Sequence, residues 1–108
     1  MFTRHVTTKL KANSGAEFNR IIESEVLPLL RKQKGFRDEI TFLAPERSEA
    51  VGNSFWDTKE DAQAYNSTGY PEVLKALSKV VEGTPTVELF EVSSSTFHKL
   101  AGAAKVGS

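Results

Sequence analysis

Residues 49–65 read EAVGNSFWDTKEDAQAY, and in this segment a strand pattern passes directly into a helix pattern. Glu49–Trp56 follows a turn and carries apolar and aromatic residues in the bounded form of a β-strand. Thr58 is suited to begin a helix, because its hydroxyl can accept a bond from a free N–H of the first turn. We therefore predict a strand over Glu49–Trp56 and a helix over Lys59–Asn66.

Two further strands are predicted on the N-terminal side of this segment. Phe2–Lys11 alternates between two sets of side chains and is rich in β-branched residues, which is typical of a strand. Phe36–Ala44 alternates in the same way. The turn Pro45–Ser48 joins it to Glu49–Trp56, so these two strands are expected to form a hairpin.

A helix is predicted between the first two strands. Ser14 and Glu17 have the spacing of a capping box at its start, and Gly35 is suited to end it. Pro28 removes the backbone bond to the carbonyl of Ser24, which predicts a kink. Its apolar face consists of Phe18, Ile21, Ile22, Val26, Leu29 and Leu30.

The C-terminal half completes the pattern. Ser67–Gly69 interrupts the second helix, Pro71 begins a third that ends at Gly83, and Thr84–Thr96 returns to strand character. The order is β-α-β-β-α-β, which predicts a ferredoxin-like α+β fold, an antiparallel sheet with helices on one face. We expect this domain to span residues 1–98, with a flexible Ala- and Gly-rich tail over residues 99–108.

Composition excludes several classes of function. The chain of 108 residues balances 14 Lys and Arg against 14 Asp and Glu and contains no cysteine. A zero net charge argues against nucleic acid or an anionic membrane as the partner, and the lack of cysteine removes thiolate metal sites and disulfides. Since no apolar run approaches the ~20 residues of a membrane span and no signal peptide is evident, we expect a cytoplasmic protein.

Several strands carry large apolar side chains on both faces. The adjacent pairs are Phe42 and Leu43, Phe55 and Trp56, and Leu89 and Phe90. A sheet covered by helices on one side alone is expected to be polar on the other. The pattern therefore predicts a homodimer in which two sheets meet face to face and close a barrel. The alternative is that one aromatic of each pair is simply half-exposed.

The combination of this element order, the Pro-interrupted first helix ending in Lys34-Gly35-Phe36, and the run from Ser54 to Tyr65 resembles the antibiotic biosynthesis monooxygenase family. That family belongs to the dimeric α+β barrel superfamily, and the resemblance extends from Phe2 to Phe97. It implies a dimer and a cofactor-independent monooxygenase acting on a small aromatic or polyketide-like compound, with no bound metal or other cofactor. A non-catalytic, small-ligand-binding or stress-associated barrel is the alternative, and a small isomerase is a third.

The haem-degrading branch of the superfamily is excluded by three absences. Its pattern requires an Asn on the first strand, a Trp within the helix after the third strand and a His on the next helix. The sequence has no Asn within Phe2–Lys11, carries Tyr65 on that helix, and has no His between Pro71 and Glu82.

Four polar residues are the candidates for catalysis. His5 is a suitable general base because its pKa lies near ~6.5. Asn53 is unusual in a strand and so indicates a hydrogen-bonding task, either with a ligand or with a β-bulge at Gly52. Tyr65 and Tyr70 flank the break between the helices, where they are placed to line the mouth of a cavity. For each, an ordinary structural role is the alternative.

Three aromatic residues are the candidates for substrate binding. Phe42, Phe55 and Trp56 offer apolar walls for a flat ligand, although a buried Trp at a strand end more often belongs to the core. A metal site is not expected, because His5 and His98 are the two histidines of the chain and lack a third ligand at a suitable spacing.

Overall fold

The described part of the chain, residues 1–98 and 100 of a computed structural model, forms one sheet with helices packed against it. The elements are β1 (Phe2–Leu10), α1 (Gly15–Ile21), a π-helical turn (Ile22–Val26), α2 (Leu27–Arg31), β2 (Phe36–Ala44), a 3₁₀ turn (Pro45–Arg47), β3 (Glu49–Trp56), α3 (Lys59–Thr68), α4 (Tyr70–Leu77) and β4 (Val81–Glu91). The predicted tail, residues 99–108, lies outside the described residues apart from Leu100, whose side chain is buried.

The four strands lie in the order β2-β3-β1-β4, and every neighbouring pair is antiparallel. This is the ferredoxin-like α+β arrangement, so the predicted fold class is confirmed. Two pairings fix the centre of the sheet: Ser54 on β3 lies opposite Arg4 on β1 and opposite Glu39 on β2. None of the helices among the described residues is both long and apolar enough to cross a membrane.

The two faces of the sheet differ in what covers them. Arg4, Thr8 and Ser54 are buried on the side that meets the helices. Because successive strand residues point to opposite faces, His5 and Asn53 lie on the other side, which we call the outer face. Adjacent residues of β1 therefore belong to different environments.

Trp56 anchors the core where β3 meets α3. Its side chain is fully buried, stacks on Tyr65 at 4.9 Å between ring centroids, and meets Phe36 edge-on at 5.5 Å. Its indole Nε1 donates a hydrogen bond to Ser54 Oγ at 2.9 Å, so the one polar atom of this large side chain is satisfied. The remaining buried core residues are Leu10, Phe18, Ile21, Ile22, Val26, Leu30, Ala50, Ala62, Tyr65, Val73, Leu77 and Val80.

The predicted boundaries of the last helix and strand are wrong. The helix ends at Leu77 instead of Gly83, because Val81 already pairs with Leu10 in the sheet. Gly83 has a φ of +73° and lies within β4, near an irregularity in the pairing with β1, so it bends a strand and does not cap a helix. The strand ends at Glu91 instead of Thr96, since its partner there is Phe2, the first residue of β1.

The helix ends also depart from prediction in part. Thr58 caps α3 as predicted, its hydroxyl accepting a bond from the Asp61 N–H at 3.0 Å. The capping box at Ser14 does not form: Ser14 makes no side-chain cap bond, and Glu17 pairs with Arg20 instead. Ahead of Pro28 the backbone widens into the π-helical turn, which is how the chain accommodates the lost hydrogen bond.

Candidate functional site

A cavity of about 320 Å³ lies between the sheet and the helices. Its floor is built mainly from alternate residues of three strands: Arg4, Val6 and Thr8 of β1, Glu39 and Thr41 of β2, and Ala50, Gly52 and Ser54 of β3. The start of β4 adds Val81, Gly83, Thr84 and Pro85 at the edge. Its roof and sides are mainly apolar and come from Phe18, Ile22, Val26, Leu30, Tyr65, Tyr70, Val73, Leu74 and Leu77. An apolar chamber of this size with a few polar groups is the usual form of a small-molecule site.

Arg4 supplies a positive charge at one end of the cavity. Its guanidinium donates a hydrogen bond to Asn66 Oδ1 at 2.8 Å and lies 4.9 Å from the Tyr65 ring centroid and 4.3 Å from that of Tyr70. Burial lowers the pKa of Arg4, but a guanidinium keeps its proton in proteins. The two rings and the amide therefore hold a permanent cation in place.

Glu39 supplies a carboxyl group to the same floor. Its Oε2 accepts a hydrogen bond from Thr41 Oγ1 at 2.9 Å. Burial raises the pKa of Glu39 to about 7, while the bond from Thr41 and the charge of Arg4 act in the opposite direction. This carboxyl group is consequently able to hold or release a proton near neutral pH.

The Tyr70 hydroxyl is buried and has no hydrogen-bond partner among the described residues. An unpaired buried hydroxyl costs free energy, and a polar ligand atom in the cavity would satisfy it. Burial is the largest influence on the pKa of Tyr65 and of Tyr70 and raises both. Each phenol therefore stays neutral and able to donate a hydrogen bond at physiological pH.

The structure separates the four residues predicted to take part in catalysis. Tyr65 and Tyr70 line the cavity, whereas His5 and Asn53 lie on the outer face, where His5 Nδ1 is 2.9 Å from Asn53 Oδ1. Two of the four predicted residues therefore share the cavity, and the other two lie on the opposite side of the sheet. The physical reason is the alternation of β1, which turns Arg4 into the cavity and His5 away from it.

The three predicted substrate-binding aromatics also lie outside the cavity. Phe42 is 55% exposed and Phe55 is half-buried; both lie on the outer face, since Phe42 pairs with Val51 and Phe55 pairs with Thr3. Trp56 belongs to the core and does not line the cavity. The aromatic residues that do line it are Phe18, Tyr65 and Tyr70.

Sequence reasoning missed Arg4 and Glu39 as site residues. In a regular strand Phe36 and Glu39 would face opposite sides, because they are three residues apart. The pairing of β2 with β3 shifts between Phe36 and Asp38, and this bulge brings Phe36 and Glu39 to the same face. A charged residue on the buried side of a strand would have indicated the site, but the sequence does not reveal the bulge that places Glu39 on that side.

Among residues 1–98 and 100, no group of three or more His, Cys, Asp or Glu side chains is placed to hold a metal ion. The polar groups of the cavity are one guanidinium, one carboxyl, two phenols and hydroxyls of Ser and Thr. This donor set is suited to binding oxygen atoms of an organic molecule and to moving a proton.

Fold and cavity together define a ferredoxin-like α+β domain with an apolar chamber between sheet and helices. Its structure is similar to the monooxygenase ActVA-Orf6 of Streptomyces coelicolor, solved with nanaomycin D bound, at a TM-score of 0.74 and 14% identity over 91% of this chain and 92% of that one. It is similar to SnoaB, a cofactor-independent oxygenase of Streptomyces nogalater, at a TM-score of 0.71 and 15% identity over 88% and 95%.

A third similar structure is a protein of Bordetella bronchiseptica assigned as an antibiotic biosynthesis monooxygenase, at a TM-score of 0.73 and 14% identity over 84% of this chain and 95% of that one. The chain thus has the fold of the antibiotic biosynthesis monooxygenases, as the sequence resemblance indicated. No protein-family model matches the sequence, and no curated protein matches it.

Proposed function

We propose that the protein binds a small aromatic or polyketide-like compound in this cavity and oxidises it with molecular oxygen, without a bound metal or flavin. The observation that carries the proposal is the combination of a titratable carboxyl group, Glu39, with a buried cation, Arg4, in one apolar chamber. A compound of this kind fills the apolar volume with its rings and places its oxygen atoms against the polar groups.

The reaction is the conversion of an activated ring CH₂ to a ketone. The substrate loses two hydrogen atoms, one atom of O₂ becomes the new carbonyl oxygen, and the other leaves as water. Removing a proton from the CH₂ group makes the compound electron-rich enough to reduce oxygen directly, so no further reductant enters the balance. The protein must bind the compound, assist this deprotonation and exclude bulk water.

Arg4 and Tyr70 are the residues suited to hold the oxygen of the ring system. The Tyr70 hydroxyl lacks a partner among the described residues, and the Arg4 guanidinium lies against the Tyr70 ring. Both can donate hydrogen bonds to an oxygen that becomes negative as the proton leaves. We propose that Tyr65 acts in the same cavity, where its neutral phenol lines the wall.

The similar structures support the proposed class of reaction. SnoaB is a cofactor-independent oxygenase, and ActVA-Orf6 is a monooxygenase solved with nanaomycin D bound. The proposal for this chain depends on its own cavity, since an identity of 14–15% relates folds and not substrates.

Oxygen uptake with anthrone tests the proposal. We expect the protein to consume one O₂ for each anthrone converted to anthraquinone, and Arg4→Met to lose most of the activity above background. Arg31→Met is the matched control, because Arg31 is exposed at the end of α2. Binding of anthrone without oxygen uptake, across a panel of phenolic ketones and quinols, would replace the oxygenase with the alternative of a non-catalytic binding protein.

We also propose that two copies of the chain meet through their outer faces. Phe42 and Phe90 are 55% and 48% exposed on this face, which is unfavourable for a solvated sheet. The segment after β4 covers part of the face, since the His98 ring lies 5.4 Å from that of Phe55 and its Nε2 is 2.9 Å from Asp38 Oδ2. His5 and Asn53 share this face, so any catalytic part they take would belong to the dimer interface.

A further inference from the structure

We infer that Glu39 is the base that removes a proton from a carbon acidified by the carbonyl group of the bound compound, either directly next to it or conjugated with it through a ring, and that the site therefore catalyses enolisation even when oxygen is absent. The inference rests on the ligand-binding part of the proposed function but not on the oxidation. It assigns the cavity a proton-exchange activity that can be measured separately.

The sheet register places the carboxyl group of Glu39 and the guanidinium of Arg4 at opposite ends of one row of three paired residues. Glu39, Ser54 and Arg4 lie side by side across β2, β3 and β1 on the cavity side. Neighbouring strands are about 4.8 Å apart, so the backbones of Glu39 and Arg4 are separated by about 10 Å. This separation leaves room between the two side chains for the O=C–C–H unit of a ketone.

The two side chains lean in different directions from this row. The carboxylate of Glu39 turns over Gly52 toward the middle of the floor, where Thr41 donates to it. The guanidinium of Arg4 turns toward α3 and α4, against Tyr70 and Asn66. The described residues show no ion pair between Glu39 and Arg4, so both groups remain available to a ligand.

The chemical step transfers one proton and needs no oxidant. The C–H bond breaks, its proton goes to the Glu39 carboxylate, and its electron pair forms the C=C bond of the enolate. The negative charge moves to the carbonyl oxygen, where Arg4 and Tyr70 can donate hydrogen bonds. Return of the proton, or of a deuteron from the solvent, regenerates the ketone.

The surroundings of Glu39 give it suitable acidity for this step. The polar groups around it in the cavity are Arg4 of β1, Thr41 of β2, Ser54 of β3 and the neutral phenols of Tyr65 of α3 and Tyr70 of α4. The residues that line the cavity from α1, the π-helical turn, α2 and β4 carry no charge. Burial holds the pKa of Glu39 at about 7, and a base of that pKa is well matched to catalysis at neutral pH.

Deuterium exchange under nitrogen tests the inference. The probe is 2-tetralone, a bicyclic ketone, in D₂O buffer, and the readout is loss of its C1 proton signal by NMR. We expect exchange above the buffer rate that rises with pH through about pH 7. Glu39→Gln should lower the enzymatic rate about 100-fold or more. Glu46→Gln, on the exposed 3₁₀ turn, should leave it unchanged.

Thr41→Val separates a chemical role from a structural one. It removes the hydrogen bond that favours the ionised carboxyl group, so the midpoint of the pH profile should move upward while the plateau at high pH remains. Exchange equal to that of buffer, or unchanged exchange in Glu39→Gln, would overturn the inference. Proton exchange without oxygen uptake would contradict the proposed oxidation but not the inference about Glu39. Oxygen uptake that persists in Glu39→Gln would support the oxygenase function but show that Glu39 is not its base.

Discussion

The carboxylate of Glu39 occupies the space that a side chain at residue 52 would need. A Cβ added to Gly52 would lie 3.1 Å from Glu39 Oε2, closer than ordinary van der Waals contact. The glycine is required here for room and not for an unusual backbone angle. The position of the carboxylate over the cavity floor thus depends on the absence of a side chain on the neighbouring strand.

Gly52→Ala is predicted to displace the carboxylate and reduce proton exchange without unfolding the protein. The added methyl group must push Oε2 away by a few tenths of an ångström. Because a misplacement of about 1 Å costs about 100-fold in rate, we expect a several-fold loss in the exchange rate. The exchange rate of 2-tetralone and the melting temperature are the measurements. Gly15→Ala is the control, because nothing lies within 4 Å of its added Cβ. A Gly52→Ala protein with full activity would show that the carboxylate position is not critical.

Glu39 is also predicted to make the stability of the protein depend on pH. Its pKa is about 7 in the folded state against an ordinary value of 4.5, so between these values the folded chain holds a proton that the unfolded chain has released. The free energy of unfolding therefore decreases as pH rises from about 4.5 to 7, and is lowest above that range. Glu39→Gln, which cannot ionise, should remove this decrease.

Urea unfolding at several pH values measures the effect. The stability of Glu39→Gln relative to the unsubstituted protein should rise between pH 4.5 and pH 7 and then level off. Glu46→Gln should show no such trend, since Glu46 is exposed. A constant difference between Glu39→Gln and the unsubstituted protein across this range would mean that the folded carboxyl group titrates at its ordinary pKa.

The fold could be predicted from the sequence because it depends on local patterns. The alternation of Phe2–Lys11 correctly predicts β1, and Thr58 correctly predicts the start of α3, because each signal lies within a few residues. The site could not be predicted in this way, because it depends on the face of the sheet to which each strand residue points. One bulge between Phe36 and Asp38 reverses the assignment of Glu39, and nothing local in β1 distinguishes Arg4 from His5 as the residue that faces the helices.

Ser54 is predicted to contribute to stability through a single hydrogen bond. Ser54→Ala leaves the fully buried indole Nε1 of Trp56 without its acceptor, which is expected to cost about 1–3 kcal/mol of unfolding free energy. Ser24→Ala is the control, because its hydroxyl bonds the Arg20 carbonyl on an exposed helix surface, and it should change stability by less than about 0.5 kcal/mol. Equal stabilities of the two variants would show that the indole finds another partner.

Two adjacent residues of β2 test which face of the sheet forms the dimer interface. Phe42 and Leu43 are 55% and 41% exposed but point to opposite faces of the sheet. If the sheets of two chains meet, sedimentation should give twice the chain mass of 11.9 kDa. Phe42→Glu should then shift the protein toward the monomer, because it buries an unpaired charge in the interface. Leu43→Glu should leave the dimer intact, and a monomeric unsubstituted protein at all concentrations would contradict the proposed interface.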